Sequence, residues 1–197
     1  MAKIYLIGDE KYDFETTKKA LTEDVAIFQL RLKEVSDEAF IEEARRYQAL
    51  CRDRGITFII NDRLHIAKII DADGLHIGQD DPAYAFCREQ FPDKIIGLTV
   101  GSEEEAKNAF MMGVDYIGLG AMYATKTKKN AKVIGLEPLK EVAKIATCDV
   151  VAIGGIDTHN FQAVYDAGAD MLAVSSAVLG SDDPAKTLKI LRGDRCI

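Results

Sequence analysis

Thr57-Phe58-Ile59-Ile60-Asn61-Asp62-Arg63 and, after a short helical stretch, Gly74-Leu75-His76-Ile77-Gly78-Gln79-Asp80-Asp81 decide how this chain folds. Each segment opens as a short apolar run without polar alternation, the pattern of a strand covered on both faces. Each then breaks into polar residues that start a new helical segment. Strand, crossover helix and strand in so few residues call for parallel pairing.

The same alternation extends in both directions. Apolar runs recur at Ile4 to Ile7, Ala26 to Leu30, Thr57 to Ile60, Gly74 to Ile77, Ile95 to Leu98, Tyr116 to Leu119, Val150 to Ile153 and Met171 to Val174. The segments between them are amphipathic and carry helix punctuation. Asp37 to Arg54 starts at Ser36-Asp37-Glu38 and stops before Gly55. Ser102 with Glu105 forms a capping box, and Gly113 ends that helix. Thr158 to Ala167 is predicted as a helix ending at Gly168, and Pro184 suits the first turn of the last one. Two folds compete: an open doubly wound sheet and a closed barrel. No G-x-G-x-x-G follows the first strand, and eight strand–helix units favour closure. The prediction is one α/β domain over residues 1–197, a compact (β/α)8 TIM barrel. One loop, Gly120 to Gly135, is long and polar, which in a compact barrel often marks function.

Composition excludes some functions. The chain has 197 residues and a net charge of −7, unlike a general nucleic-acid binder. Cys51, Cys87, Cys148 and Cys196 form no C-x-x-C pair and have no histidine at zinc-ligand spacing. They read as reduced thiols of a cytoplasmic protein. No apolar run approaches the ~20 residues of a membrane helix, and the first residues lack a signal-peptide core.

The unusual polar residues fall just past strands, at the rim where a barrel places its active site. Gln29, Arg31 and Lys33 alternate on one face at the end of the second strand, whereas Leu30 and Leu32 face the covering helices. Pointed into a barrel, three long polar side chains need a ligand or partner; a frayed strand end with solvated charges is an equal reading. Asp62 and Asp81 each follow a strand. Each alone reads as a helix cap, but as a pair on neighbouring strands they suit a hard cation such as Mg2+. Thr125-Lys126-Thr127-Lys128-Lys129-Asn130 could close over an anionic substrate; by composition alone a mobile basic surface loop is the better reading. Gly154-Gly155-Ile156 and Ser175-Ser176 follow the seventh and eighth strands, where barrels often bind phosphate, though tight turns also use such glycines. His65 and His159 read as surface residues and His76 as a satisfied core residue. No Ser-His-Asp arrangement is suggested.

Taken together and in order, Gln29-Leu30-Arg31-Leu32-Lys33, Phe58 to Arg63, Gly74 to Asp81, Ile96-Gly97-Leu98-Thr99, Asp115 to Gly120, Thr125 to Lys128, Ala152 to Ile156 and Val174 to Ala177 resemble the thiamine phosphate synthase (thiamine phosphate pyrophosphorylase) family over nearly the whole chain. The resemblance implies an enzyme that joins hydroxymethylpyrimidine diphosphate to thiazole phosphate and releases pyrophosphate. It implies Mg2+ on Asp62 and Asp81, and diphosphate binding by Arg31, Lys33 and Asn61. Gln29 and Lys128 would contact the pyrimidine substrate or its leaving group, with Thr99 nearby. Thr125 and Thr127, with the backbone at Gly155, Ser175 and Ser176, would hold the thiazole phosphate. Lys128, Arg31 and Lys33 would carry catalysis. The partners implied are the two small-molecule substrates; a second copy of the chain is a further candidate partner.

The chain also departs from that pattern. Leu32 stands where the family commonly has Glu, Thr99 where it has Ser, Gly101 where it has His, and Ala121 where it has Pro. Two alternatives on the same fold are a thiazole tautomerase, which commonly has a histidine at the position of Ala121, and a non-catalytic binder of thiamine-pathway intermediates. A sugar-phosphate isomerase would leave the Thr-x-Thr-Lys loop unexplained.

Overall fold

The structure, a computed structural model, describes residues 3–79, 81–125 and 132–193. In chain order the elements are β1 (Lys3–Asp9), α1 (Phe14–Ala20), β2 (Val25–Arg31), α2 (Asp37–Arg54), β3 (Thr57–Asn61), α3 (Leu64–Ile69), β4 (Gly74–Ile77), α4 (Tyr84–Gln90) and β5 (Ile95–Val100). They continue with α5 (Glu103–Met112), β6 (Tyr116–Gly120), α6 (Leu136–Ile145), β7 (Asp149–Ile153), α7 (Phe161–Asp166), β8 (Met171–Val174), α8 (Ser176–Leu179) and α9 (Pro184–Leu191). All neighbouring strands pair in parallel, and β1 closes on β8 to complete an eight-stranded barrel. Every strand therefore ends at the same mouth.

Local sequence explains the helix ends. Ser36 accepts the Ala39 N–H at the start of α2, and Gly55 ends it in the left-handed conformation. Ser102 accepts the Glu105 N–H as predicted, but the Glu105 carboxylate reaches past Ser102 to the N–H of Gly101 at 2.7 Å. The helix expected from Thr158 starts instead at Phe161. The Asn160 and Asp157 side chains accept the N–H groups of Asp157 and His159, which locks the intervening residues into a turn.

Strand alternation divides the core in two. Outward residues such as Leu30, Ile60, Leu75 and Leu119 pack under the helices, and Leu32 joins that layer. Inward residues Tyr5, Ile7, Tyr116, Val151, Met171 and Ala173 fill the barrel itself. Tyr116 fits there because its neighbour on β5 is Gly97: a Cβ at that position would lie 1.9 Å from the tyrosine ring.

The end of the barrel away from the mouth is closed by three aspartates that each precede a strand. Asp73 Oδ2 accepts the Phe58 N–H, Asp115 Oδ2 the Ile96 N–H and Asp170 Oδ2 the Val150 N–H, at 2.7–2.8 Å. Each clasps the start of the preceding strand, satisfying a donor at the barrel floor. Among the described residues no helix is long and apolar enough to cross a membrane.

Candidate active site

Those polar groups singled out in the sequence that the structure describes ring one end of the barrel. Gln29 and Arg31 project inward from β2, Asn61 ends β3, Asp62 follows it, and Asp81 lies in the β4–α4 connection. Asp62 adopts a left-handed backbone, with φ of 61°. Its N–H donates to the His76 carbonyl on β4 at 2.8 Å, which turns the chain across the neighbouring strand.

That turn brings the acids and a cation together. Lys33 Nζ lies 2.6 Å from Asp62 Oδ2, and the Asp62 and Asp81 carboxyl groups are hydrogen-bonded neighbours. Asp81 Oδ2 also accepts the Gly78 N–H at 2.6 Å. Neither carboxylate caps a helix: α3 and α4 follow Arg63 and Ala83, and neither start has a side-chain cap. Burial pulls the Asp62 carboxyl upward, but the Lys33 and Asp81 hydrogen bonds and the Arg31 charge hold it below the usual carboxylate range. Burial and the facing Asp62 charge push Asp81 the other way. The pair thus behaves as one acid readily ionised and one reluctant.

A second polar layer lies beneath the first. Gln29, 3% exposed, donates from Nε2 to the Tyr5 hydroxyl at 2.8 Å. Tyr5 and Tyr116 hydroxyls are 2.7 Å apart, Tyr116 reaches His76 Nδ1 at 2.9 Å, and His76 Nε2 reaches Thr99 Oγ1 at 2.8 Å. His76 is a satisfied core residue, as its strand position suggested, and it joins Thr99 to the barrel interior. Burial drives its pKa down to about 4, so the ring is neutral near pH 7. Tyr5 and Tyr116 were missed by sequence reading because a tyrosine in an apolar strand looks like core. His65 is exposed and paired with Asp37, and His159 is exposed.

On the far side of the mouth, β7 pairs with β8 through Ile153 and Ala173. Gly155 and Ser175, each two residues further on, follow these neighbouring strand ends. Gly155 has φ of 66°, and a Cβ there would strike the Ala124 carbonyl at 2.5 Å. Its backbone therefore packs against the segment after β6 as only glycine allows. Ser175 Oγ is buried without a protein partner among the described residues, while Ser176 opens α8 and is exposed. Met122 and Tyr123 N–H groups donate to the Ile153 and Gly154 carbonyls, which fixes the approach to Thr125 beside this pocket. Thr127 and Lys128 lie outside the described residues.

The geometry thus brings together a carboxylate pair flanked by cations on one side and a glycine–serine pocket on the other. The family model described as thiamine monophosphate synthase matches residues 4–178. A relative from Moorella thermoacetica named thiamine-phosphate synthase is 41% identical over 94% of this chain and 90% of its own length. One of the same name from Pyrococcus horikoshii is 38% identical over 96% and 93%. The solved thiamine phosphate pyrophosphorylase of Pyrococcus furiosus superposes with a TM-score of 0.89 at 34% identity, covering 98% of this chain and 95% of that one. A 3-hexulose-6-phosphate synthase shares the barrel at TM-score 0.69 but only 18% identity, a likeness of fold alone. With the match running through every strand of the barrel, the chain belongs to the thiamine monophosphate synthase family.

Proposed function

We propose that this barrel couples hydroxymethylpyrimidine diphosphate to thiazole phosphate, releasing pyrophosphate and forming thiamine phosphate. The observation that carries the reading is the contact of Asp62 with both Lys33 and Asp81 at the same mouth as Gly155 and Ser175. Two anionic substrates require two anion sites, and a departing diphosphate requires concentrated positive charge.

The donor set suits a hard divalent cation. Two carboxylates held in contact repel unless a proton or a cation lies between them, and Mg2+ commonly takes one or two carboxylates with substrate phosphates and water. Asp62 and Asp81 would hold it, and when bound it would neutralise charge on the leaving diphosphate.

The chain's own groups do the rest. Arg31, Lys33 and Asn61 bind the diphosphate, and Gln29 and Thr99 orient the pyrimidine beneath it. Breaking the bond between the exocyclic methylene carbon and the diphosphate oxygen sends the electron pair to the diphosphate. The aminopyrimidine ring delocalises the resulting cation. The thiazole nitrogen then donates its lone pair to that carbon. No enzyme nucleophile and no proton transfer are required, which agrees with a site whose described residues offer neither an activated serine nor an activated cysteine. Arg31, Lys33 and Lys128 stabilise charge as it develops on the leaving group. Thr125, Thr127, Gly155, Ser175 and Ser176 hold the thiazole phosphate, for which the buried Ser175 hydroxyl is a waiting partner. Ala121 is buried and offers no acid or base, which disfavours a tautomerase. The described cysteines are free thiols, as the cytoplasm would keep them.

The test is direct. Purified protein, both precursors and Mg2+ should yield equal amounts of pyrophosphate and thiamine phosphate. Thiazole isomerisation without coupling, or tight binding of both precursors without turnover, would overturn the proposal.

A further inference from the structure

We infer that the hydrogen-bonded chain Thr99–His76–Tyr116–Tyr5 fixes which way round the Gln29 amide faces, and so makes the pocket select a 4-aminopyrimidine over its 4-oxo counterpart. The inference rests on the reading that Gln29 meets the pyrimidine ring.

The argument follows the protons. The chain runs from Gln29 Nε2 to Tyr5 (2.8 Å), Tyr116 (2.7 Å), His76 Nδ1 (2.9 Å) and, from His76 Nε2, to Thr99 Oγ1 (2.8 Å). Burial holds both phenols well above their ordinary range, so each keeps its single proton, and the two His76 ring nitrogens meet hydroxyls rather than carboxylates, which a neutral imidazole with one proton satisfies. A line of groups with one proton each has only two satisfied arrangements. In the first, His76 donates from Nε2 to Thr99, Tyr116 donates to His76 Nδ1, Tyr5 donates to Tyr116, and Tyr5 can only accept from Gln29 Nε2. In the second every donor reverses, Tyr5 donates to the Gln29 carbonyl, and the amide must turn over.

The mouth chooses between them. In the proposed reaction Thr99 orients the pyrimidine substrate that bears the diphosphate, and a phosphate oxygen of that substrate takes the threonine proton. Thr99 must then accept from His76, which selects the first arrangement. Gln29 is left with its carbonyl oxygen and its second N–H for the ring. That edge matches an aminopyrimidine, whose exocyclic amine donates and whose adjacent ring nitrogen accepts. A 4-oxo ring presents the opposite pattern, with an accepting oxygen and a donating ring N–H, and would leave buried groups facing like against like. Tyr5, Tyr116 and His76 are thus positioning residues that act through Gln29.

Calorimetric titration with Mg2+ and either hydroxymethylpyrimidine diphosphate or its 4-oxo counterpart tests the inference in wild type, Tyr116→Phe and Tyr5→Phe. Wild type should prefer the amino ring by about 100-fold. Either substitution frees the amide to turn over while keeping the aromatic ring, and should cut that ratio about tenfold. Thermal melts identify a variant that has not folded, in which case the other carries the reading. An unchanged ratio in a folded variant, or equal weakening of both ligands, overturns the inference. Selectivity in wild type and its loss in the variants, with no thiamine phosphate made by wild type, counts against the proposed function alone. Product formation with an unchanged ratio counts against the positioning chain alone.

Discussion

Lys33 Nζ meets Asp62 Oδ2 at 2.6 Å, joining the residues just beyond β2 and β3 across the barrel mouth. Lys33 is about half exposed there, so the contact contributes little to stability after screening by solvent. Its value is local: it holds a carboxylate ionised against Asp81.

Asp62→Ala and Asp81→Ala should therefore fold normally but lose turnover. We expect kcat/KM to fall at least about 100-fold in each, with Tm within a few degrees of wild type. Lys128→Ala should lower kcat by a similar factor. Steady-state kinetics across a Mg2+ titration, alongside melting curves, checks all three. Unchanged kinetics in Asp62→Ala would remove the metal assignment.

Ser175 offers a case where function and stability should oppose each other. Its hydroxyl is buried without a protein partner, so Ser175→Ala removes an unsatisfied polar group. The variant should be more stable by about 1 kcal/mol and should bind thiazole phosphate about tenfold more weakly. Denaturant unfolding and the KM for thiazole phosphate measure the two effects. A less stable variant with unaltered KM would contradict the phosphate reading.

Much of this was legible in the sequence. The apolar runs Thr57 to Ile60, Gly74 to Ile77 and Val150 to Ile153 are strands because side chains on both of their faces need cover from water. Closure of the barrel followed from their number, and the meeting of Asp62 with Asp81 from their equivalent places on adjacent strands. The proton chain was not legible, because Tyr5, His76 and Tyr116 lie far apart in sequence and each shows a single polar tip within an apolar strand. The floor clasps were overlooked although they had a signal: Asp73-Gly74, Asp115-Tyr116 and Asp170-Met171 each place an aspartate immediately before a strand. The late start of α7 reflects side-chain hydrogen bonds at Asp157 and Asn160 that outweigh helical continuation.

Those clasps lie at the end opposite the site, so their loss should spare catalysis. Asp170→Ala should destabilise the protein by about 1–2 kcal/mol, since the Val150 N–H loses its acceptor, and should leave kcat/KM within about twofold. Urea unfolding paired with the pyrophosphate-release assay decides it. A large activity loss without loss of stability would contradict this division of labour.

His76 gives a pH signature. Its ring is only partly withdrawn from the pocket surface, but it is enclosed by barrel side chains, and that desolvation moves its pKa from 6.5 down to about 4. Between those values the unfolded chain binds a proton that the folded one refuses. Stability from this group is complete above pH 6.5 and is lost as pH falls toward 4, by about 3 kcal/mol in total. His76→Gln should flatten the fall in unfolding free energy across this window. An identical pH slope in wild type and variant would show that the histidine is not the group responsible.

The fit of Tyr116 against Gly97 carries a consequence for descent. With a Cβ at position 97 only 1.9 Å from the phenol ring, neither site is free to drift alone. Any lineage that enlarges residue 97 must surrender the tyrosine in the same stroke, and with it the link between the two halves of the proton chain. Across distant relatives the two positions should be inherited as a couple, and a barrel that has given up this couple should also have changed the ring it accepts.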